Sequence, residues 1–531
     1  MTGTPAHAAS GATVSGSGRA TGFGLLLVVL GWEAAARALS GAFVLAAPSE
    51  VAVYLVENRG LMLRALGETL SNAAAGFVIG NVAALFLAGI ALIWPRSERI
   101  VLGVALVVFC LPLVATGPIL RVIFGPGDGP QIALAALAVY YTTLIPLLVG
   151  LRAAPFAWFD LIRSYGRGAF AALVHIRLMA SLPYLFSGLQ IAAPAAFLGA
   201  MVGEFTGAER GMGVLTIRAM RALDVEMTWA LATVATAVAA LAYLGVGALA
   251  QHVLRDAPPI ILAPPRADIR VETRLSRLGG SVFGVSAAIL VLWWGAIAVF
   301  NLNTFFAKSP DDVLRALVWA PDAAQTRATL LAALTETAVF LVPGYFAGLA
   351  AGAGLAILFV LVPAIAGTAM PVAIALRSVP IVTSAPLIVL LLGRGAVATV
   401  VLVAVMIFFP TLVACIHGLR QAPGQVIDVF DSYAASRVQR LLRVHIPAML
   451  PAFFAAARMG VPASVLAVTV VEWLATGNGI GSLMALSASL SDYDLLWSAV
   501  ALVSALSALG YAGVGLIEAR VLRVYAPEQL A

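Results

Sequence analysis

Long apolar stretches separated by short polar segments dominate this sequence. Each stretch holds roughly 20 apolar residues or more, the length that an α-helix needs to cross the hydrocarbon core of a bilayer. The first six cover 22–40, 66–93, 100–123, 131–150, 184–205 and 227–253. The next six cover 278–301, 330–355, 362–392, 396–417, 452–474 and 495–518. The pattern therefore predicts an all-α, polytopic membrane protein with about 12 transmembrane helices.

The two sets of six stretches are copies of one unit, because the sequence matches itself at an offset of 268 residues. The matched pairs include Glu68-Thr69 with Glu336-Thr337, Pro112 with Pro380, Ser164-Tyr165 with Ser432-Tyr433, Glu204 with Glu472 and Trp229 with Trp497. The register holds from 68 to 255 without a net gap. A tandem duplication follows, with unit one at 21–255, unit two at 277–525 and a pseudo-twofold relation between them.

Composition agrees with lipid as the solvent. Apolar residues make up 62% of the 531 positions, charged residues only 11%, and the mean hydropathy is +1.02. A soluble domain has about 25% charged residues. The net charge of +6 comes almost wholly from arginines between the apolar stretches, which the positive-inside rule explains better than nucleic-acid binding does. The same rule assigns both termini and the linker to the cytoplasm.

The remaining segments are short. Residues 1–20, rich in Ala, Gly, Ser and Thr, are expected to form a disordered cytoplasmic tail, and the proline-rich linker 256–276 a stiff cytoplasmic tether. Cys110 and Cys415 lie in apolar stretches and are expected to be buried thiols. The five histidines show no metal-ligand spacing, and no catalytic site is predicted.

The longest predicted cytoplasmic loop of each unit joins its fourth and fifth stretches, at 151–183 and 419–451. A loop of about 30 residues among tight turns usually has a function. The residues that set its pattern are Asp160, Gly166, Ile176 and Leu178 in unit one, and Asp428, Ala434, Val444, Ile446 and Pro447 in unit two. Their spacing predicts a short helix, a turn, and a second segment that leads into the membrane.

This pattern resembles the cytoplasmic motif of permeases of binding-protein-dependent ABC importers. In that family an acid and two alanines are followed by a glycine, an isoleucine and a Leu-Pro pair. The match is partial in both units, because Met179 replaces the final proline of unit one, Ala434 replaces the glycine of unit two, and larger apolar residues replace the alanines. Further stretches that resemble the family are Glu68-Thr69-Leu70, Leu111-Pro112, Gly117-Pro118-Ile119, Ser187-Gly188-Leu189 and Gly211-Met212-Gly213. The likeness is closest to the nitrate, sulfonate, taurine and bicarbonate branch.

The resemblance implies two type I importer units in a bacterial inner membrane, with each loop helix docked in a cleft of an ATPase subunit. It also implies two copies of that ATPase and a separate substrate-binding protein. A P-loop needs Gly-Lys followed by Ser or Thr. The only lysine, Lys308, follows Ala307, so ATP and Mg are expected to bind the partner ATPase rather than this chain, which is not itself an enzyme.

Ionisable residues inside membrane spans are costly and are candidates for function. Glu204 and Glu472 are placed near the outer ends of the fifth stretches. Either they border the pathway and face each other across the pseudo-twofold axis, or each caps backbone amides before a Gly-rich segment. Arg377 is the candidate for attracting an anion, whereas Arg458 is favoured for a structural or coupling role.

Prolines are expected to break or bend the third stretch of each unit, at 111–118 and 379–386. Bent helices at a repeat interface free backbone groups that can bind substrate. Thr116, Thr383 and Ser384 lie there and are candidates for lining the route. Glu68 and Glu336 are expected at the outer starts of the second stretches, where a helix N-terminus stabilises a carboxylate.

Two other functions stay open at this point. An ion-coupled secondary transporter also often has two six-helix repeats, although its prominent loop usually joins the halves instead of lying within each half. A membrane enzyme is disfavoured because no nucleophile elbow or paired-carboxylate site is visible. The predicted substrate is a small anion such as nitrate or a sulfonate, or a vitamin precursor.

Overall fold

The computed structural model describes residues 17–42, 45–254, 275–362, 388, 392–393, 395–422 and 424–525. Within these ranges the regular structure is helical and contains no strand. Unit one contains α1 (Ser17–Ala38), α2 (Pro48–Glu57), α3 (Arg59–Ile93), α4 (Glu98–Phe109), α5 (Leu113–Phe124), α6 (Gly129–Gly150), α7 (Phe156–Ser164), α8 (Ala169–Ala172), α9 (Met179–Phe205), α10 (Met212–Ala222) and α11 (Val225–Val253). Unit two contains α12 (Leu275–Val299), α13 (Pro310–Leu314), α14 (Ala323–Leu361), α15 (Ala396–Arg420), α16 (Gly424–Ser432), α17 (Arg437–Arg440), α18 (Ile446–Val471), α19 (Gly479–Ser489) and α20 (Tyr493–Tyr525).

Eight helical segments of the described chain are long and apolar enough to cross a membrane. They are Arg59–Ile93, Gly129–Gly150, Ala169–Phe205, Val225–Val253, Ala323–Leu361, Ala396–Arg420, Arg437–Leu474 and Tyr493–Tyr525, and shorter apolar helices accompany them. Two tandem units of a polytopic helical protein are thereby confirmed. Of the predicted spans, the third of unit two, 362–392, lies almost wholly outside the described residues.

Several helices begin earlier than predicted, and one expectation fails as a result. Because α3 begins at Arg59 and α14 at Ala323, Glu68 and Glu336 lie more than two turns inside their own helices. The expected stabilisation by the N-terminus of the same helix is therefore wrong. The residues that precede each glutamate are good helix formers, so the helix extends beyond the apolar stretch.

Small residues bring the central helices of each unit together at the same positions. A Cβ atom on Gly76 would lie 2.3 Å from the Cβ of Ala135, so α3 and α6 are in close backbone contact. Its equivalent, Gly344, meets Val403 in the same way between α14 and α15. In lipid the hydrophobic effect does not drive helices together. Small residues let the backbones approach closely, and the resulting van der Waals packing stabilises the contact.

The third span of unit one is broken, as its prolines predict. Helix α4 ends at Phe109 and α5 begins at Leu113, with Pro112 at the N-cap of α5. The two pieces pack against unit two. In α4, a Cβ on Gly103 would lie 2.4 Å from Val285 of α12, and in α5, Ala115 and Ile119 are buried in one cluster with Ile480 and Leu496. This span therefore forms much of the interface between the units.

Candidate functional site

Each unit carries an exposed nine-residue helix in the loop that follows its fourth span, α7 in unit one and α16 in unit two. No described residue of either helix is buried. The side chain of Asp160 is 73% exposed and lies 3.7 Å from Arg163 one turn later. An ion pair as exposed as this contributes little to stability. The acidic position is therefore free to contact another protein.

The turn after each helix has the same geometry in both units. Gly166 (φ 68°) and Ala434 (φ 49°) are equivalent and both adopt the left-handed conformation. The amide of Gly166 donates to Arg163 O at 2.9 Å and the amide of Arg167 to Ile162 O at 3.2 Å, which is a Schellman motif. Ala434 and Ala435 make the equivalent bonds to Asp431 and Phe430. Loss of the glycine has thus not removed the turn.

The second half of each loop is anchored in the bundle. Ile176 and its equivalent Val444 are buried, each within a π-helical turn, Leu173–Leu178 and Leu441–His445 respectively. Leu178 remains exposed, while Ile446 and Pro447 are half-buried at the start of α18. A continuous helical path therefore connects each loop with the fifth span of its unit.

Contacts within each loop hold the short helix against this path. In unit one the guanidinium of Arg177 lies 5.4 Å from the centre of the Phe159 ring, a cation–π contact. In unit two Arg440 forms an ion pair with Asp431 of α16. The two units thus hold the short helix against this path through different chemistry.

Several large apolar side chains on α7 and α16, and in the segments that follow them, are exposed. In unit one the exposed residues are Phe156, Leu161, Tyr165 and Phe170, and in unit two they are Val429, Tyr433 and Val438. Phe156 and Tyr433 are each 84% exposed. Exposed apolar patches mark surfaces that contact other proteins or a membrane.

A buried glutamate lies at the opposite end of each fifth span. In unit one Glu204, only 1% exposed, accepts a hydrogen bond from Thr69 Oγ1 at 2.7 Å and another from the amide of Gly213 at 2.6 Å. The amide of Met212 donates to Thr69 Oγ1 at 2.9 Å. These bonds satisfy the free amides at the start of α10 and attach that short helix to α3 and α9.

Unit two repeats this arrangement residue for residue. Glu472 accepts from Thr337 Oγ1 at 2.7 Å and from the amide of Gly481 at 2.8 Å, and the amide of Ile480 donates to Thr337 at 2.9 Å. The amide of Gly479 also donates to Glu336 at 2.9 Å. The described hydrogen bonds of both buried glutamates are those expected for capping of backbone amides. We call Thr69, Glu204 and their equivalents the two latches.

In the sequence, Thr69 and Thr337 stand out only as markers of the repeat. Helices α10 and α19 are not predicted from the sequence, because eleven residues are too few to span a membrane. A usable signal was present, since a polar residue recurs at the same place in two apolar spans and the Gly-rich segments follow both glutamates. A polar side chain inside a membrane span is costly unless it has a hydrogen-bond partner. A threonine that recurs in both units therefore predicts a partner, which is the latch glutamate.

Of the other candidate residues, the structure describes Thr116 and Arg458 only. Thr116 is buried and donates to Leu113 O of its own helix at 2.9 Å, while Arg377, Thr383 and Ser384 lie outside the described residues. Arg458 pairs with Glu518 at 3.1 Å and lies 5.7 Å from the Tyr511 ring centre, so α18 and α20 are joined by these contacts. In the described chain, no group of three or more His, Cys, Asp or Glu is placed to hold a metal ion.

Comparisons with known proteins give relatives about the size of one unit. A probable ABC transporter permease of Haemophilus influenzae is 27% identical over 229 residues, which are 42% of this chain and 89% of that protein. The taurine transport system permease protein of Escherichia coli is 25% identical over 248 residues, 46% of this chain and 90% of that protein. A formylaminopyrimidine transport permease protein of Halalkalibacterium halodurans is 26% identical over 204 residues, 38% and 81% respectively.

One family matches the chain twice, at residues 76–257 and 344–523, which together are more than half of its length. Each match contains one exposed loop and one latch glutamate, at the same offset in the two units. The chain therefore belongs to the family of inner membrane components of binding-protein-dependent transport systems, and carries two such components in tandem.

Proposed function

We propose that this chain is a transmembrane permease of an ABC importer, with both halves of the translocation pathway in one polypeptide. The observation that carries the proposal is the pair of equivalent exposed loops, each joined to a fifth span by a continuous helical path. The exposed acid and the exposed apolar residues of α7 and α16 are the groups that would enter a cleft of a partner protein.

That partner would be an ATPase subunit, bound as two copies because the chain offers two loops. It would bind ATP and Mg, so this chain would act as a transport subunit and not as an enzyme. A substrate-binding protein would dock at the opposite end, near α10 and α19. The chain would lie in a bacterial inner membrane with both termini in the cytoplasm, where the positive-inside rule puts them.

The names of two relatives support the proposed substrate class. The Escherichia coli protein is named for taurine transport and the Halalkalibacterium halodurans protein for formylaminopyrimidine transport. We propose the same range for this chain, a small anion such as a sulfonate or nitrate, or a vitamin precursor. Arg377, together with Thr116, Thr383 and Ser384, stays the prediction for groups that line the pathway.

Gentle affinity purification from the native membrane, followed by mass spectrometry, tests the assembly. An ATPase at two copies per chain is expected. The complex is then placed in proteoliposomes with ATP on the loop side, and uptake is measured with and without the loaded binding protein. Uptake that needs both components would support the proposal. Uptake driven by a proton or sodium gradient without ATP would instead establish the secondary transporter.

A further inference from the structure

Two equivalent residues of the two units touch each other. Phe205 follows the latch glutamate of unit one, and Trp473, 268 positions later, follows the latch glutamate of unit two. Their ring centres are 6.5 Å apart and the rings meet at 78°, an edge-to-face contact. This is a favoured geometry for an aromatic pair.

A residue can meet its own equivalent only beside the axis that relates the two copies. The midpoint between the two rings therefore lies on or close to the pseudo-twofold axis of the chain. Each ring centre is about 3 Å from that axis, half of the observed separation. Transporters built from two repeats carry their substrate along the interface between the repeats. The pair thus stands where the substrate of this chain would have to pass.

The surroundings of the pair are apolar. Phe205 is buried and belongs to one packed cluster with Val202 of unit one and with Val470 and Val471 of unit two, and Trp473 packs against that cluster. A ring of apolar side chains at this position excludes water and ions, and apolar constrictions close channels in this way. The described residues around the pair therefore offer no hydrated route at this level of the bundle.

The backbone on either side holds both aromatic residues in place. Glu204 and Glu472 are fixed by their latches, which leaves little freedom for the residue that follows each one. In unit one α5 also contributes, because a Cβ on Gly117 would lie 2.1 Å from Thr206 and Arg121 donates a hydrogen bond to Gly207 O. Movement of either latch or of α5 would separate the rings.

We propose that Phe205 and Trp473 form the constriction that closes the translocation pathway at the end of the bundle opposite the loops of α7 and α16. This inference rests on the proposed function, since it requires a pathway between the units. It makes the two latches the parts that position the constriction, and it makes separation of the two rings a condition for solute entry.

Passive anion flux tests the constriction without knowledge of the substrate. The purified chain is reconstituted without ATP, ATPase or binding protein, and nitrate and chloride fluxes are followed with an entrapped anion-sensitive dye. The unaltered chain should be tight. Phe205→Ala with Trp473→Ala should raise the flux about two- to tenfold, as expected when a closed state loses one aromatic pair. The exchange Phe205→Trp with Trp473→Phe should restore the barrier.

A matched control separates this effect from a general loosening of the fold. Trp293 and Trp497 also stack, at 5.3 Å, but both belong to unit two. Trp497→Ala should leave the passive flux at the level of the unaltered chain, provided that the protein remains monodisperse. An equal rise in flux for Trp497→Ala and for the Phe205/Trp473 double variant would overturn the assignment.

A cysteine pair supplies an independent readout. In a background with Cys110→Ala and Cys415→Ala, Phe205→Cys and Trp473→Cys are joined by a short thiol-specific linker. Cross-linking between the units should occur, and in the full complex it should block ATP-driven uptake reversibly. Uptake that continues at full rate in the cross-linked protein would refute the constriction but leave the proposed function intact. A chain that never shows ATP-driven uptake would contradict the proposed function, and the flux assay would still report on the rings.

Discussion

Ala434 adopts the left-handed conformation that Gly166 adopts in the other unit, and each residue ends its helix with the same pair of hydrogen bonds. A side chain with a Cβ atom pays roughly 1–2 kcal/mol for this conformation, whereas glycine does not. Unit two therefore keeps the turn at an energetic cost. The strained residue lies in the loop that we expect to bind a partner. A rigid turn there would hold α16 in one position for binding.

Ala434→Gly should consequently stabilise the chain. The gain should be about 0.5–1 kcal/mol, because part of the relieved strain is offset by the greater freedom of glycine in the unfolded state. Gly166→Ala should have the opposite effect. The midpoint of thermal unfolding in detergent is the measurement, and a lower midpoint for Ala434→Gly would show that the turn is not strained.

Asp160→Asn combined with Gly166→Ala should uncouple transport from ATP hydrolysis while leaving the fold intact. Stimulation of the ATPase by loaded binding protein should fall about tenfold, a loss of about 1.4 kcal/mol of coupling. The matched control is Arg96→Gln, an exposed charged residue between α3 and α4 that lies outside both loops. Stimulation that persists in the double variant, or an equal loss in the control, would contradict a role for the first loop.

The latches predict a clear difference between two substitutions of one residue. Thr69→Val leaves Glu204 and the amide of Met212 without their hydroxyl partner, and should destabilise unit one by about 1–3 kcal/mol. Thr69→Ser keeps the hydroxyl and should be close to neutral. The same pair of results is expected for Thr337 in unit two. Equal unfolding midpoints for the valine and serine variants would refute the latch.

Gly211 should not tolerate a side chain. Its φ is 127°, and an added Cβ would lie 2.2 Å from the carboxyl carbon of Glu204. Gly211→Ala should therefore displace the glutamate and reduce the yield of monodisperse protein severely. Gly67→Ala is the control, because no atom lies within 4 Å of that position and alanine favours helix. A normal yield and unfolding midpoint for Gly211→Ala would contradict the described packing.

The ion pair of Arg458 and Glu518 has a natural replacement in unit one, where Gln190 and Ala250 occupy the equivalent positions. Glu518→Ala alone leaves an unpaired guanidinium inside the bundle and should cost about 1–3 kcal/mol, less than for a fully buried pair because Arg458 is partly exposed. Arg458→Gln together with Glu518→Ala should recover most of that loss. Additive losses in the unfolding midpoint would show that the two residues are not coupled.

The sequence predicted about 12 spans, and eight of them match the spanning helices of the described chain in the same order. It did so because lipid demands long apolar helices and because each unit could be checked against the other. It also predicted the break at Pro112. It failed where a helix is short or where its start is polar. The 11-residue helices α10 and α19 carry no spanning signal, and Arg59 and Arg64 interrupt the apolar pattern before Glu68, so the start of α3 at Arg59 was missed.

The candidate site was predicted less completely for a physical reason. Exposed loop residues such as Asp160 follow one another at a fixed spacing, so a pattern along the chain is sufficient to find them. The latch of Glu204 joins residues 135 and 9 positions away, and the contact of Phe205 with Trp473 spans both units. Contacts of this kind depend on how the helices pack against each other. The only sign of them in the sequence is a polar or aromatic residue at the same position of both units.

The third span of unit one has a consequence for biosynthesis. Ala115 and Ile119 of α5 are buried against Ile480 and Leu496, which leave the ribosome more than 350 residues later. Until then this surface has no protein partner and must be covered by lipid or by the insertion machinery. Fusion guarantees that the correct partner arrives, once per chain and from the same message. Two separate subunits would have to find each other by diffusion and could pair as the wrong homodimers.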